Sequence, residues 1–293
     1  MKRNEKKQKS DSCGRDRKKR TVRIISDLIL LVLIVVFVYS GYRFFSEYSE
    51  YKRGEEVYGE VNEAVVIPQN AQTRLQDIAA ADDPETQAEE AYEPISVPDL
   101  DIDYDALAAQ NPDFIGVLYI PALDLYYPVT HSHDNSEYLN TLFTGESSVY
   151  GCIFLEKDAS ADFSDYNSFI YGHNMKNGTM FGSLKRFERQ EGLCDSDPYM
   201  YIYTKSRVYK YHIFSYFQCA KDDPLYNNVR DDGGYDQYVT TCQTRSEYTP
   251  GGDYTDNFSG RPPLITLSTC VGVGETSHFL VVGAMVQPSV KGK

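Results

Sequence analysis

The chain has 293 residues, 41% hydrophobic and 25% charged, enough for one sizeable domain with appendages. Its net charge of −14 is uneven: residues 1–45 carry 12 Lys and Arg against 4 acids, and the remainder 17 against 39. So acidic a body excludes a nucleic-acid binder, which needs a basic face.

In chain order, residues 1–23 read as a basic cytoplasmic tail. Residues 24–45 hold the unbroken apolar run 28–38, with Lys18, Lys19, Arg20 and Arg23 before it and Tyr42, Phe44 and Phe45 after it. About 18 apolar residues is near the lower limit for spanning hydrocarbon, and a basic flank stays cytoplasmic. The segment is therefore read as a single-pass signal anchor in the cell membrane, with everything after it extracellular. A cleaved signal peptide ending near Val38-Tyr39-Ser40 is the competing reading. Residues 46–100, rich in Glu, Asp, Gln, Ala and Pro, predict an acidic stalk without a core, disordered or a fraying helix.

The character changes from about residue 101, where a folded domain over 101–293 is expected. A short helix is predicted at 103–110, then β-rich runs at 114–120 and 125–130 about the turn-former Pro121-Ala122-Leu123-Asp124. Further strands are predicted at 152–155, 168–171, 199–203, 208–219, 264–268 and 279–286. Helices are predicted at 179–189, with Met180, Leu184 and Phe187 on one face, and at 235–248. Many short strands with inserted helices and few βαβ units give a mostly β fold, a mixed barrel.

Cys270 ends the run Leu264-Ile265-Thr266-Leu267-Ser268-Thr269-Cys270 and is followed by Gly272 and Gly274. Sheet hydrogen bonds would hold a nucleophile there while leaving it at the domain's rim. His173 likewise ends a strand, in Phe169-Ile170-Tyr171-Gly172-His173-Asn174. A histidine so placed can stabilise a thiolate and return a proton to a leaving amine. Such pairs meet in space rather than in sequence. Of the other cysteines, Cys13 falls in the tail, and spacing leaves open whether Cys152, Cys194, Cys219 and Cys242 pair or stay reduced. His131 and His133 read as an exposed turn and His212 as a strand residue. No metal site and no cofactor are expected.

Several stretches together resemble the class B sortases, membrane-anchored cysteine transpeptidases of Gram-positive bacteria. Residues 111–120 and 124–129 look like that family's opening strands, and Asp134-Asn135 with Tyr138-Leu139-Asn140 like its next segment. Tyr171-Gly172-His173-Asn174-Met175 with Met180-Phe181-Gly182-Ser183-Leu184 is similar to its histidine motif. Thr266-Leu267-Ser268-Thr269-Cys270 resembles its cysteine motif. The resemblance covers roughly residues 105–286. It implies a sortase β-barrel that cleaves the C-terminal sorting signal of secreted proteins, of Asn-Pro-x-Thr type. A thioester on Cys270 would then pass the acyl group to a peptidoglycan amine. A pilus-polymerising relative using a pilin lysine, and a silent surface protein that only binds the signal, are the alternatives.

The chain departs from the family at one point. The family's third catalytic residue is an arginine on the strand after the cysteine motif, where His278 stands here. Three readings follow: His278 substitutes directly, Arg261 or Arg245 reaches in from another loop, or the enzyme is slow or inert. Substrate contacts are expected from Ser268 and Thr269, from Asn174 beside the histidine, and from Tyr226 and its neighbours before the long helix.

Overall fold

Aromatic and β-branched residues, which suit a pleated surface, build eight strands that close on themselves. The computed structural model describes residues 2–67, 73–76, 94–227, 229–251, 258–269 and 276–286. The strands are β1 (Phe114–Ile120), β2 (Leu125–Thr130), β3 (Ile153–Leu155), β4 (Asn167–Gly172), β5 (Tyr199–Tyr203), β6 (Val208–Ala220), β7 (Leu264–Thr269) and β8 (Ser277–Met285). Around the closed barrel the order is β6-β8-β7-β4-β3-β2-β1-β5. Only the β2–β3 and β4–β7 pairs are parallel. Register shifts at 114/116 in β1 and 213/215 in β6 bend these strands, as closure of a small barrel requires.

Among the described residues the helices longer than one turn are α1 (Lys2–Asn62), α2 (Tyr104–Gln110) and α3 (Asp232–Arg245). Helix α3 lies on one face of the barrel. Its Tyr235, Tyr238, Val239 and Cys242 share a buried cluster with Phe169, Phe217, Leu264, Leu280 and Val282. On the alternate positions of the same strands, Ile170, Ile265, Leu267 and Val281 are fully buried too. Strands covered on both faces read as near-continuous apolar runs, which accounts for the unalternating pattern of 264–268 and 279–286.

Two predicted helices are shifted. Helix α3 begins three residues before the expected 235 because Asp231 caps it, its carboxylate accepting from Gly234 N at 2.7 Å. It ends at Arg245, and Tyr248 instead stacks on Tyr216. The helix expected at 179–189 is a 3-10 turn, Phe181–Lys185, followed by one α-turn, Arg186–Arg189. Met180 has φ +50°, which keeps it out of the helix. The apolar face read there is nonetheless the buried one, with Met180, Leu184 and Phe187 at 2% exposure or less.

The chain divides into two compact units, Met1–Arg53 and Gly54–Lys293. In the first, the apolar run of α1 carries no protein packing, and α1 is long and apolar enough to cross a membrane. The boundary of the second lies well inside the expected stalk. Gly54–Asn62, the last turns of α1, are packed: Tyr58 and Val61 are 4% and 1% exposed. Gly54 lies against the Tyr150 ring so closely that a Cβ would fall 2.3 Å from it. Val65–Val66 pairs with Asp101–Ile102, and Thr73–Gln76 with Ile95–Pro98. Scattered apolar residues among many acids supply this packing, so bulk composition hid it. The acidic stretch 77–93 lies outside the described residues.

Candidate active site

The parallel register between β4 and β7 runs from Asn167 opposite Leu264 to Gly172 opposite Thr269. Adjacent strands lie about 4.8 Å apart. The strand ends from which His173 and Cys270 follow are therefore side by side. Cys270 itself lies outside the described residues.

His173 is half-buried, and its Nε2 donates to the Leu139 carbonyl at 2.5 Å. A carbonyl only accepts, so Nε2 carries a hydrogen and Nδ1 is the atom left to exchange a proton. The Leu139 segment is held in turn. The Tyr138 hydroxyl lies 2.9 Å from Asp113 Oδ2 and 3.1 Å from Asn111 Oδ1, and Cys152 N donates to Tyr138 O at 2.8 Å. Gly151 packs against the His173 ring, and its carbonyl accepts from the buried Tyr58 hydroxyl at 2.7 Å. The loop after the histidine is tied down as well. Asn174, half-buried, bridges to Met180, and Asn177 Nδ2 donates to Glu55 Oε1 at 2.6 Å and to the Tyr150 hydroxyl at 2.8 Å. Leu139 stands out in the sequence only as part of the family-like segment Tyr138-Leu139-Asn140, and Gly151 and Tyr58 do not stand out at all.

Ser268 and Thr269, from which substrate contacts are expected, have no exposed surface. Thr269 Oγ1 accepts from Phe279 N at 2.8 Å, which fixes the end of β7 against β8. Ser268 Oγ lies 2.8 Å from the Tyr226 hydroxyl. Tyr226, expected in a substrate groove, instead turns its hydroxyl to Ser268 and to Nδ1 of His278, with the two rings edge-to-face at 5.3 Å. Both serve as supports beside the strand ends. The β7–β8 register, Ser268 opposite Leu280, brings His278 into β8 beside the end of β7.

Residues 118–287, more than half of the chain, match the family model described as Sortase domain. The chain belongs to the sortase family. Sortase B of Listeria monocytogenes is 30% identical over 161 residues, covering 55% of this chain and 63% of that protein's length. The solved Clostridium perfringens sortase B superposes with TM-score 0.56 at 26% identity, covering 62% of this chain and 99% of that one. A Streptococcus pyogenes class B sortase involved in pilus biogenesis gives TM-score 0.55 at 27% identity, covering 63% and 98%. The similar proteins are class B members, and sortases are cysteine transpeptidases.

Within this sortase, burial pushes the Cys152 and Cys219 thiols up to about 11 and those of Cys194 and Cys242 up to about 12. All four are free, buried and uncharged at neutral pH, so none supplies a thiolate nucleophile. The two arginines considered as substitutes are engaged elsewhere. Arg261 forks onto Asp236 at 2.9 and 3.1 Å and meets Asp232 at 3.0 Å, and Arg245 pairs with Asp223 at 2.5 Å. Of the remaining histidines, His131 Nε2 donates to Lys157 O at 3.3 Å, and His212 is buried in β6 against Tyr199.

Burial holds the His278 imidazole below its ordinary value. The unfolded chain therefore takes up a proton, near pH 6.5, that the folded chain refuses. Stability from this group is present above that value and is lost as pH falls through it. Thermal melts between pH 8 and 5 are expected to show a smaller acid-side loss in His278→Gln than in the wild type. Equal losses would mean that His278 titrates alike in both states.

Proposed function

We propose that this sortase cleaves a C-terminal sorting signal of Asn-Pro-x-Thr type in secreted proteins and joins the new end to a peptidoglycan amine. The reading rests on the parallel register that ends with Thr269 opposite Gly172, beside which Cys270 and His173 follow. In it, the Cys270 thiolate attacks the Thr carbonyl carbon, and the peptide C–N bond breaks as the C–S bond forms. His173, through Nδ1, gives the departing amine its proton. The acceptor amine then attacks the thioester, His173 takes its proton, and the thiolate leaves. His278 stands in for the arginine of the family pattern and donates to the oxyanion, since Arg245 and Arg261 are engaged with carboxylates. Oxyanion donors of this kind contribute roughly 10²–10³ in rate.

Residues 24–45 serve as the membrane anchor, with the basic tail 1–23 cytoplasmic and the catalytic domain outside. A second reading, polymerisation onto a pilin lysine, is favoured by the likeness to the pilus-associated S. pyogenes protein. Product masses from one sorting-signal peptide offered diaminopimelate-type and lysine-type amines decide between them. The peptidoglycan reading expects the diaminopimelate amide to dominate. Dominance of the lysine amide supports polymerisation, and no amide with either amine contradicts both.

A further inference from the structure

We infer that Tyr226 is a positioning residue that holds His278 in the tautomer bearing its hydrogen on Nε2. This chain then presents a neutral, aimed donor where the family pattern has an arginine; the catalytic half of that statement rests on the role proposed above for His278. Three groups meet the Tyr226 hydroxyl: Ser268 Oγ at 2.8 Å, Cys219 Sγ at 3.8 Å and His278 Nδ1. A phenol has one hydrogen to give. The imidazole nitrogen is the most basic acceptor in the cluster and the phenol its most acidic hydroxyl, so that hydrogen goes to Nδ1. Ser268 Oγ–H and Cys219 Sγ–H then both point at the phenol oxygen, and each group donates once. In the reverse arrangement Nδ1–H would donate to the phenol. Tyr226 would then donate to the weaker acceptor Ser268, which would be left with the Thr269 carbonyl at 3.4 Å. A ring whose Nδ1 is occupied keeps Nε2–H as its remaining donor.

The phenol is itself held in place. Its ring lies 5.4 Å from Phe169, and it closes the 3-10 turn Pro224–Tyr226. Asp223 starts that turn by accepting from Leu225 N at 3.1 Å, and Arg245 fixes Asp223. Arg245 thus serves the site indirectly, by anchoring the turn that carries Tyr226.

The test uses the full chain in lipid nanodiscs, labelled with ¹⁵N-histidine, with His278 assigned by the signals lost in His278→Gln. At pH 7.5 the expected spectrum has Nδ1 of His278 unprotonated and Nε2 protonated. Tyr226→Phe is expected to mix or reverse the two and to lower kcat for a sorting-signal peptide by about 3- to 10-fold, with KM little changed. Protonated Nδ1 in the wild type would overturn the inference without any variant, as would an unchanged tautomer in Tyr226→Phe. The expected tautomer shift with no change in kcat would instead spare the tautomer assignment and remove His278 from catalysis, which is a failure of the role proposed above for His278.

Discussion

His173→Ala is expected to cut kcat/KM for a sorting-signal peptide by about 10³–10⁴-fold, at the upper end of what a positioned acid–base contributes. The ring is half-buried and makes one described hydrogen bond, to the Leu139 carbonyl, so its loss should leave the barrel folded. The defect should fall on the chemical step. A single-turnover experiment would show slow release of the amine fragment while peptide still binds. His173→Asn is expected to do no better, because an amide can satisfy Leu139 but cannot exchange the proton. A variant within tenfold of wild type would remove His173 from the reaction.

The second large effect is expected at Gly151, which lies far from Cys270 in sequence. Its φ is +60°, and a Cβ there would fall 2.6 Å from Tyr138 O, 2.8 Å from Leu139 O and 2.9 Å from His173 Cδ2. Two of these neighbours are backbone carbonyls that cannot step aside, and one of them is the acceptor that orients His173. Gly151→Ala should therefore destabilise the protein by about 3 kcal/mol or more, combining left-handed strain with overpacking. It should also lower turnover by more than the unfolded fraction explains, because the Leu139 carbonyl and the imidazole are pushed apart. Gly145→Ala is the control. Its φ is +91° but nothing lies within 4 Å of the added carbon, so it should carry strain of about 1 kcal/mol and leave turnover intact. Chemical denaturation with activity at matched folded fractions separates the two. Equal behaviour of the variants would show that Gly151 has no link to the histidine.

Much of the barrel was legible from local pattern alone. The runs at 114–120, 125–130 and 199–203 coincide with β1, β2 and β5, because period two and aromatic content are properties of short segments. The helix expected at 103–110 runs Tyr104–Gln110, and the structure shows Asp103 as its cap, accepting from Ala106 N at 2.9 Å. His173 and Cys270 are expected from the sequence to follow strand ends, and the strands before them do end at Gly172 and Thr269. The parallel pairing that puts those ends together was not legible, since register between strands nearly a hundred residues apart is a tertiary property. Neither were the supports. Nothing near Tyr58 suggests that a residue in an acid-rich, nominally unstructured stretch reaches under the histidine loop. Tyr226 was noticed as a possible groove residue, yet its role depends on Ser268 and His278 converging on one hydroxyl from two other strands. The burial of Ser268 and Thr269 was not legible either, because closeness to Cys270 in sequence says nothing about which face is covered.

In the proposed reaction Cys270 and His173 carry out covalent catalysis where two parallel strands end side by side. Intact-mass measurement of the full chain mixed with a sorting-signal peptide tests it most directly. The expected spectrum gains an adduct equal to the peptide's N-terminal fragment, mapped to Cys270, released by hydroxylamine and absent in Cys270→Ala. No adduct under turnover conditions, or one that persists in Cys270→Ala, would contradict it.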